Sequence, residues 1–315
     1  MQYNELGKTK ISVSRLCFGT LTLGPLQANL PEEKGADLIC RAVELGVNFL
    51  DTAEYYQNYP PIRLALKKCG KDLVVATKSY AYTYEGMKKS VENARKALDR
   101  DVIDIFMLHE QESRLTLKGH REALEYLIEA KQKGIIRATG VSTHTVEVVL
   151  AAAEMEEIDV IHPIINYQGI GIKDGTVEDM VKAIEKAYNK GKGIYGMKSL
   201  GGGNLIRERK KAFEFVLGLP FLHSIAVGMK SEAEIIANVL AFEGKDVPEG
   251  IEKSISNEKR RLLIEDWCEG CGRCVKRCGF GALQIKNGRA VVDYERCALC
   301  GYCSRACPEF CIKIV

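Results

Sequence analysis

Nothing in this chain approaches the roughly eighteen uninterrupted apolar residues that a membrane helix needs, and the opening "MQYNELGKTKISVSR" lacks the apolar centre of a secretory leader. These absences point to a cytoplasmic protein with no membrane partner. No block of lysine or arginine stands apart from compensating acids, and the formal net charge of +3 over 315 residues is small, so nucleic acid is not expected as a partner either. The run "RKKAF" from Arg209 reads as a solvated helix face. The phosphate fingerprint G-x-G-x-x-G is also missing where an open dinucleotide-binding sheet would carry it, because the first strand and its turn spell "LCFGTLTLG". "LGGGN", from Leu200, is Gly-rich but reads as a flexible loop.

Cysteine is the exception. Of twelve cysteines, nine lie after residue 267, a crowding that would mean disulfides in a short secreted chain but marks a domain boundary here. Residues 1–244 form the first unit. Residues 245–266 fall in a connector, "GKDVPEGIEKSISNEKRRLLIEDW" from Gly244 to Trp267, rich in Pro, Gly and charge, with a helix expected in its second half. Residues 267–315 form a small thiol-rich domain.

Within the first unit, short β-branched runs alternate with amphipathic segments, the pattern of a parallel sheet with crossover helices. Eight strands are expected: "SRLCFGT", "NFLDTA", "DLVVATK", "VIDIFMLH", "IRATGVS", "VIHPIINY", "GIYGMKS" and "SIAVGM". Helices such as "PEEKGADLICRAVELG" follow them, with Gly46, Gly134 and Gly191 where left-handed helix ends belong. Eight βα units in about 240 residues predict an α/β fold of the closed (β/α)8, or TIM barrel, type, with its site at the C-terminal strand ends. A doubly wound open sheet is the alternative.

Asp51 closes the second strand, Lys78 the third and His109 the fourth, and Tyr56 follows Asp51 by five residues. Each alone has an ordinary structural reading as ion pair, packed ring or core histidine; together at successive strand ends they converge on one rim. Here the sequence resembles the aldo-keto reductase family, nicotinamide-dependent carbonyl reductases on (β/α)8 barrels, over roughly residues 1–240. The N-terminal "YNELGKTKISVSR" is similar to the hairpin that plugs the barrel floor in that family. The resemblance implies that Tyr56 protonates a carbonyl oxygen as hydride from NAD or NADP reaches its carbon. Lys78 then lowers the Tyr56 pKa, Asp51 holds Lys78, and a neutral His109 orients the substrate.

The same resemblance implies cofactor contacts at Gly19, Thr20, Ser142, Thr143, His162, Met197, Ser231, Glu234 and Asn238. Thr143 stands where many members have Asn, His162 where they have Gln, and Met197 where an aromatic ring stacks on the nicotinamide. Glu234 replaces an arginine that recognises the 2'-phosphate, and a carboxylate there favours NADH. Tyr80, Tyr82 and Tyr84 either wall a flat apolar substrate pocket or pack their own loop.

Both C-terminal runs spell C-x2-C-x2-C-x3-C, and this spacing resembles two-cluster bacterial ferredoxins. That resemblance assigns Cys268, Cys271, Cys274 and Cys307 to one [4Fe-4S] cluster, and Cys297, Cys300, Cys303 and Cys278 to a second. Zinc, whose structural sites use paired C-x2-4-C elements, fits the 3-3-4 step poorly. Cys311 aligns with Ala282 in the pseudo-repeat and reads as a small buried residue. Cys17, Cys40 and Cys69 read as core or surface residues of the barrel.

The expected protein is a carbonyl reductase acting on an aldehyde, ketone or quinone and carrying a ferredoxin-type α+β domain. The alternative is an electron-transfer or docking protein whose barrel has lost reductase activity. A nicotinamide delivers two electrons at once and each cluster takes one, while no second nucleotide fingerprint offers a flavin a home. Either a separate redox partner protein, ferredoxin or flavoprotein, or a substrate radical is therefore expected to connect the clusters to chemistry, or carbonyl reduction and cluster redox are expected to run independently.

Overall fold

In the computed structural model, which describes residues 1–69 and 73–315, eight parallel strands close into a barrel. Two short strands precede it: β1 (Tyr3–Glu5) and β2 (Ser12–Ser14) pair antiparallel. The barrel strands are β3 (Leu16–Gly19), β4 (Phe49–Asp51), β5 (Val74–Ser79), β6 (Ile103–Gln111), β7 (Ile136–Thr143), β8 (Val160–Pro163), β9 (Gly193–Met197) and β10 (Ser224–Gly228), in sequence order, with β10 closing onto β3. All eight expected strands are present. The first residue of "DLVVATK", Asp72, lies outside the described residues.

The strands are buried on both faces, as a parallel barrel requires. Inward-facing Cys17, Phe49, Ala76, Met107, Val160 and Tyr195 pack against Leu6, Ile11 and Val13 of the N-terminal hairpin, which plugs the floor. The outward faces pack on the crossover helices, Glu32–Glu44 being the first. Gly46, Gly134 and Gly191 all have positive φ just past helix ends. Among the described residues, no helix is long and apolar enough to cross a membrane.

The connector differs from expectation. Its helix, Glu249–Ser256, begins directly after Pro248, in the first half of the segment. The second half instead supplies β11 (Leu262–Ile264), because its apolar "LLI" finds backbone partners in the C-terminal strand. The small domain also contains a hairpin of β12 (Leu283–Lys286) and β13 (Arg289–Val292), and β14 (Ile312–Ile314) pairs antiparallel with β11. Two short helices, Arg273–Arg277 and Tyr302–Arg305, each follow a cysteine run's second thiol.

This domain lies on the C-terminal mouth of the barrel. The Ile314 N–H donates to the Gly202 carbonyl at 3.0 Å, and Asn204 Nδ2 donates to Ser304 Oγ at 2.9 Å. Phe310, 1% exposed, packs into the apolar cluster between barrel and helices. "LGGGN" is therefore not a loose loop. At Gly203 (φ +85°), a Cβ would stand 1.9 Å from the Ile314 carbonyl oxygen, so the backbone itself is the contact surface.

Candidate active site and thiolate sites

Side-chain alternation builds the site. Two residues beyond the interior-filling Phe49, Ala76, Met107, Val160 and Tyr195 come Asp51, Lys78, His109, His162 and Met197, so the same inward parity delivers them to the open end. Tyr56 reaches them from a 3-10 turn, Glu54–Tyr56. Together they line a cavity of about 950 Å³. Its far wall belongs to the small domain and its connector, including Arg260, Glu265, Trp267, Phe310 and Lys313.

Lys78 Nζ donates to Asp51 Oδ1 at 2.8 Å and to the Thr52 carbonyl at 2.6 Å, with both Asp51 and Lys78 buried. The lysine nitrogen lies 5.1 Å from the centroid of the Tyr56 ring. His109 meets that ring edge-on at 5.8 Å and stacks on Tyr80 at 4.2 Å. Burial, then the charge of Lys78, pushes His109 well below the usual histidine range, so the imidazole is neutral. Tyr56 departs from the expected lowering. Burial, then the Asp51 and Glu110 carboxylates, push its hydroxyl well above the usual phenol range.

Of the residues expected at the cofactor, Gly19, Ser142, His162, Met197 and Glu234 line the cavity. Thr20, Thr143, Ser231 and Asn238 do not. Thr20 and Thr143 have the opposite parity: Thr20 Oγ1 donates to the Asp51 carbonyl at 2.9 Å, and Thr143 Oγ1 to that of Gln111 at 2.7 Å. Ser231 caps the helix Glu232–Phe242 by accepting from the Glu234 N–H, and Asn238 is buried within that helix. Glu234 is not a free carboxylate. It pairs with Arg260 at 2.8 Å and accepts from the Lys230 N–H at 2.8 Å. Its charge is offset, and Lys230, Lys259 and Arg261 line the same cavity.

Tyr195 is a positioning residue that the strand-end reading misses. Its hydroxyl donates to Asp51 Oδ1 at 2.9 Å, and its ring stacks on His162 at 3.8 Å. The signal was period-two alternation, since Met197 and Tyr195 must share a face. Tyr80 donates to Glu110 Oε2 at 2.6 Å; burial works to raise the Glu110 carboxyl, but Lys198 and Tyr80 outweigh it and hold it below its usual range.

His162 makes a testable contribution to stability. Burial lowers its pKa from 6.5 to about 4, against the opposing charge of Asp51. The unfolded chain therefore takes up this proton at a pH where the folded chain refuses it. Stability is intact above about 6.5 and drains as pH falls, by roughly 3 kcal/mol at about pH 4. Denaturant unfolding at both pH values is expected to show a smaller loss for His162→Gln than for the unmodified protein; equal losses would contradict the assignment.

The thiols gather across the two runs. Cys268, Cys271, Cys274 and Cys307 line one small cavity, and the Cys274 thiol is raised by burial and by Cys307, Cys268 and Cys271. The Cys303 thiol is pushed up to about 12 by burial with Cys300, Cys274, Cys278 and Cys297 around it. Thus Cys307 sits with the first run, while Cys303 has Cys274 and Cys278 of the first run near it as well as Cys297 and Cys300. Among the described residues, no three His, Cys, Asp or Glu side chains form a site for a single metal ion. All-thiolate donor sets with backbone N–H groups on the sulfurs, Ala290 to Cys268 at 3.5 Å and Ala282 to Cys278 at 3.3 Å, suit iron–sulfur clusters. Cys311 is buried as expected, but its Sγ stands 3.3 Å from that of Cys307, in the wall of the first set's cavity.

The aldo/keto reductase family pattern matches residues 15–217. The chain belongs to the aldo/keto reductase family. A 4Fe-4S dicluster domain matches residues 261–309, which includes β11 with the thiolate runs. L-galactose dehydrogenase of Arabidopsis thaliana is 23% identical over 272 residues, 82% of each chain. The holo form of an aldo-keto reductase from Bacillus halodurans superimposes with a TM-score of 0.64 at 22% identity, covering 81% of this chain and 95% of that one. The small domain is similar to part of one component of an ion-translocating oxidoreductase complex from Methanosarcina acetivorans, 35% identical over 54 residues, or 17% of this chain and 20% of that one. Membership of the aldo/keto reductase family implies a nicotinamide cofactor, and the dicluster domain implies [4Fe-4S] clusters.

Proposed function

We propose that this aldo/keto reductase reduces a small carbonyl compound, an aldehyde, ketone or quinone, with NADH or NADPH, inside a cavity roofed by its own two-cluster domain. The observation that carries the reading is the convergence of Asp51, Tyr56, Lys78 and His109 in one cavity, with a neutral imidazole beside a protonated phenol. A bound nicotinamide supplies the hydride. Tyr56 donates the proton to the nascent alkoxide, and His109 holds the carbonyl oxygen as a neutral hydrogen-bond partner. Lys78 and Asp51, braced by Tyr195, fix the floor on which Tyr56 rests. The volume suits a nicotinamide end together with a small substrate, and the cations beside Glu234 suit phosphate. An anaerobic assay with both nucleotides against aldehydes, ketones and quinones tests the reading. No turnover with any of them would favour the rival, a barrel retained for docking.

For the thiolate sets, Cys268, Cys271, Cys274 and Cys307 hold one cluster and Cys278, Cys297, Cys300 and Cys303 the other, each supplying one-electron chemistry. Anaerobically purified protein is expected to carry about eight irons per chain, and Cys307→Ser, although it lies in the second run, to empty the first site and leave about four. Zinc in place of iron, or full iron in the variant, would contradict this. NADH or NADPH alone is expected to leave the cluster absorbance unbleached while dithionite bleaches it, because a two-electron donor has no converter here. Rapid stoichiometric bleaching by either nucleotide would overturn that expectation.

A further inference from the structure

We propose that Arg277, Arg296, Tyr302 and Arg305 form the docking face for an acidic one-electron carrier protein, which delivers electrons at the second thiolate set. The proposal rests on the reading of the eight cysteines as ligands of two clusters.

Each residue of the face is tied to that set by sequence and is exposed. Arg277 precedes Cys278, Arg296 precedes Cys297, Tyr302 lies between Cys300 and Cys303, and Arg305 follows Cys303 by two. The guanidinium groups of Arg277 and Arg305 lie 5.4 and 5.8 Å from the centroid of the Tyr302 ring, which holds two cations against one exposed aromatic ring. After residue 257 the ion pairs among the described residues involve Arg260 with Glu234 and Glu258, and Lys173 with Glu309. Arg277, Arg296 and Arg305 have none among the described residues.

The imbalance is regional. From residue 267 onward there are eight lysines and arginines against four acids, although the whole chain is only +3. Apolar exposure is concentrated there too, with Phe280 50% and Tyr302 49% exposed. Unpaired cations interleaved with exposed rings suit a small, transient, electrostatically steered interface with a negatively charged protein.

Position distinguishes the two sets. Trp267 adjoins Cys268, and Glu309 and Phe310 follow Cys307 closely; all three line the catalytic cavity. The first set is thus flanked by cavity residues, while the second is flanked by the exposed Arg277, Arg296 and Arg305. In the delivery step one electron leaves the carrier, which is oxidised by one, and the second cluster is reduced by one. No bond forms or breaks, and no proton moves.

The test uses the full-length, cluster-loaded protein and a reduced acidic flavodoxin as the probe, whose one-electron oxidation from hydroquinone to semiquinone is followed by stopped flow as the semiquinone absorbance appears. The second-order rate is expected to fall at least about tenfold from low to high ionic strength. Arg277→Glu combined with Arg305→Glu is expected to cut the low-salt rate by at least about tenfold and flatten the salt dependence, whereas Lys89→Glu on a barrel helix changes neither. Iron content and the dithionite end point, measured on every variant, report the cluster reading separately from the docking. If the charge reversals fail to load clusters, Arg277→Gln with Arg305→Gln and the salt series on the unmodified protein carry the test. A salt-independent rate would overturn the proposal. So would an unchanged rate with a shifted cluster midpoint potential, which would mean that the arginines only offset the cluster's own charge.

Discussion

Tyr56→Phe is expected to lower carbonyl turnover by at least about 10²-fold, the share a positioned proton donor contributes. Nicotinamide affinity, measured by calorimetry, should stay within about twofold, since the ring and its contacts with Lys78 and His109 are retained. Phenylalanine keeps the packing and removes one hydroxyl. Two features make that hydroxyl the donor. Burial and Asp51 keep it protonated across the neutral range, and His109, the other group beside the carbonyl site, is held neutral well below its usual pKa. Tyr80→Phe serves as a control: its hydroxyl is already engaged by Glu110, so a small change in turnover is expected. Equal losses in both variants would move the donor role off Tyr56.

The second large effect is expected at Gly203, far from any thiol in sequence. Alanine there places a Cβ 1.9 Å from the Ile314 carbonyl oxygen, and φ is +85°, so both the backbone conformation and the contact resist it. Together the two costs amount to about 2–5 kcal/mol, enough to lift β14 and Phe310 away from the barrel. The cluster ligands remain intact. The expected result is unchanged iron content, faster proteolysis within residues 244–261, and a separate low-temperature unfolding transition for the small domain. Native-like proteolysis and a single transition would show that Gly203 is not the seam.

How much of this was legible in the sequence differs by element. The alternation of β-branched runs with amphipathic segments was enough for the barrel and for Asp51, Lys78 and His109 at its strand ends, because both patterns are local, whereas Tyr56, on a 3-10 turn, came with the family resemblance. Period-two alternation within the strands, applied strictly, would have removed Thr20 and Thr143 from the cavity and added Tyr195. The thiolate runs were equally local, and their crossed grouping followed from the spacing's resemblance to a known pattern. What was not legible was contact between distant segments. Nothing near Glu234 in sequence announces Arg260, which neutralises it, and nothing in "LGGGN" announces β14. Phe310 and Lys313 become cavity residues only once the small domain lies over the barrel mouth. The connector's second half reads as helix in the sequence, while the strand it forms depends on a partner at the far end of the small domain.

The central claim, that the tetrad in this roofed cavity transfers hydride to a carbonyl, is tested most directly with NADH and NADPH deuterated at C4 of the nicotinamide. Incubated anaerobically with a carbonyl compound that the protein turns over, the labelled nucleotide is expected to place one deuterium on the product's carbinol carbon, with one nucleotide oxidised per carbonyl reduced. Product formed without deuterium at that carbon, with electrons drawn from the clusters instead, would contradict the account.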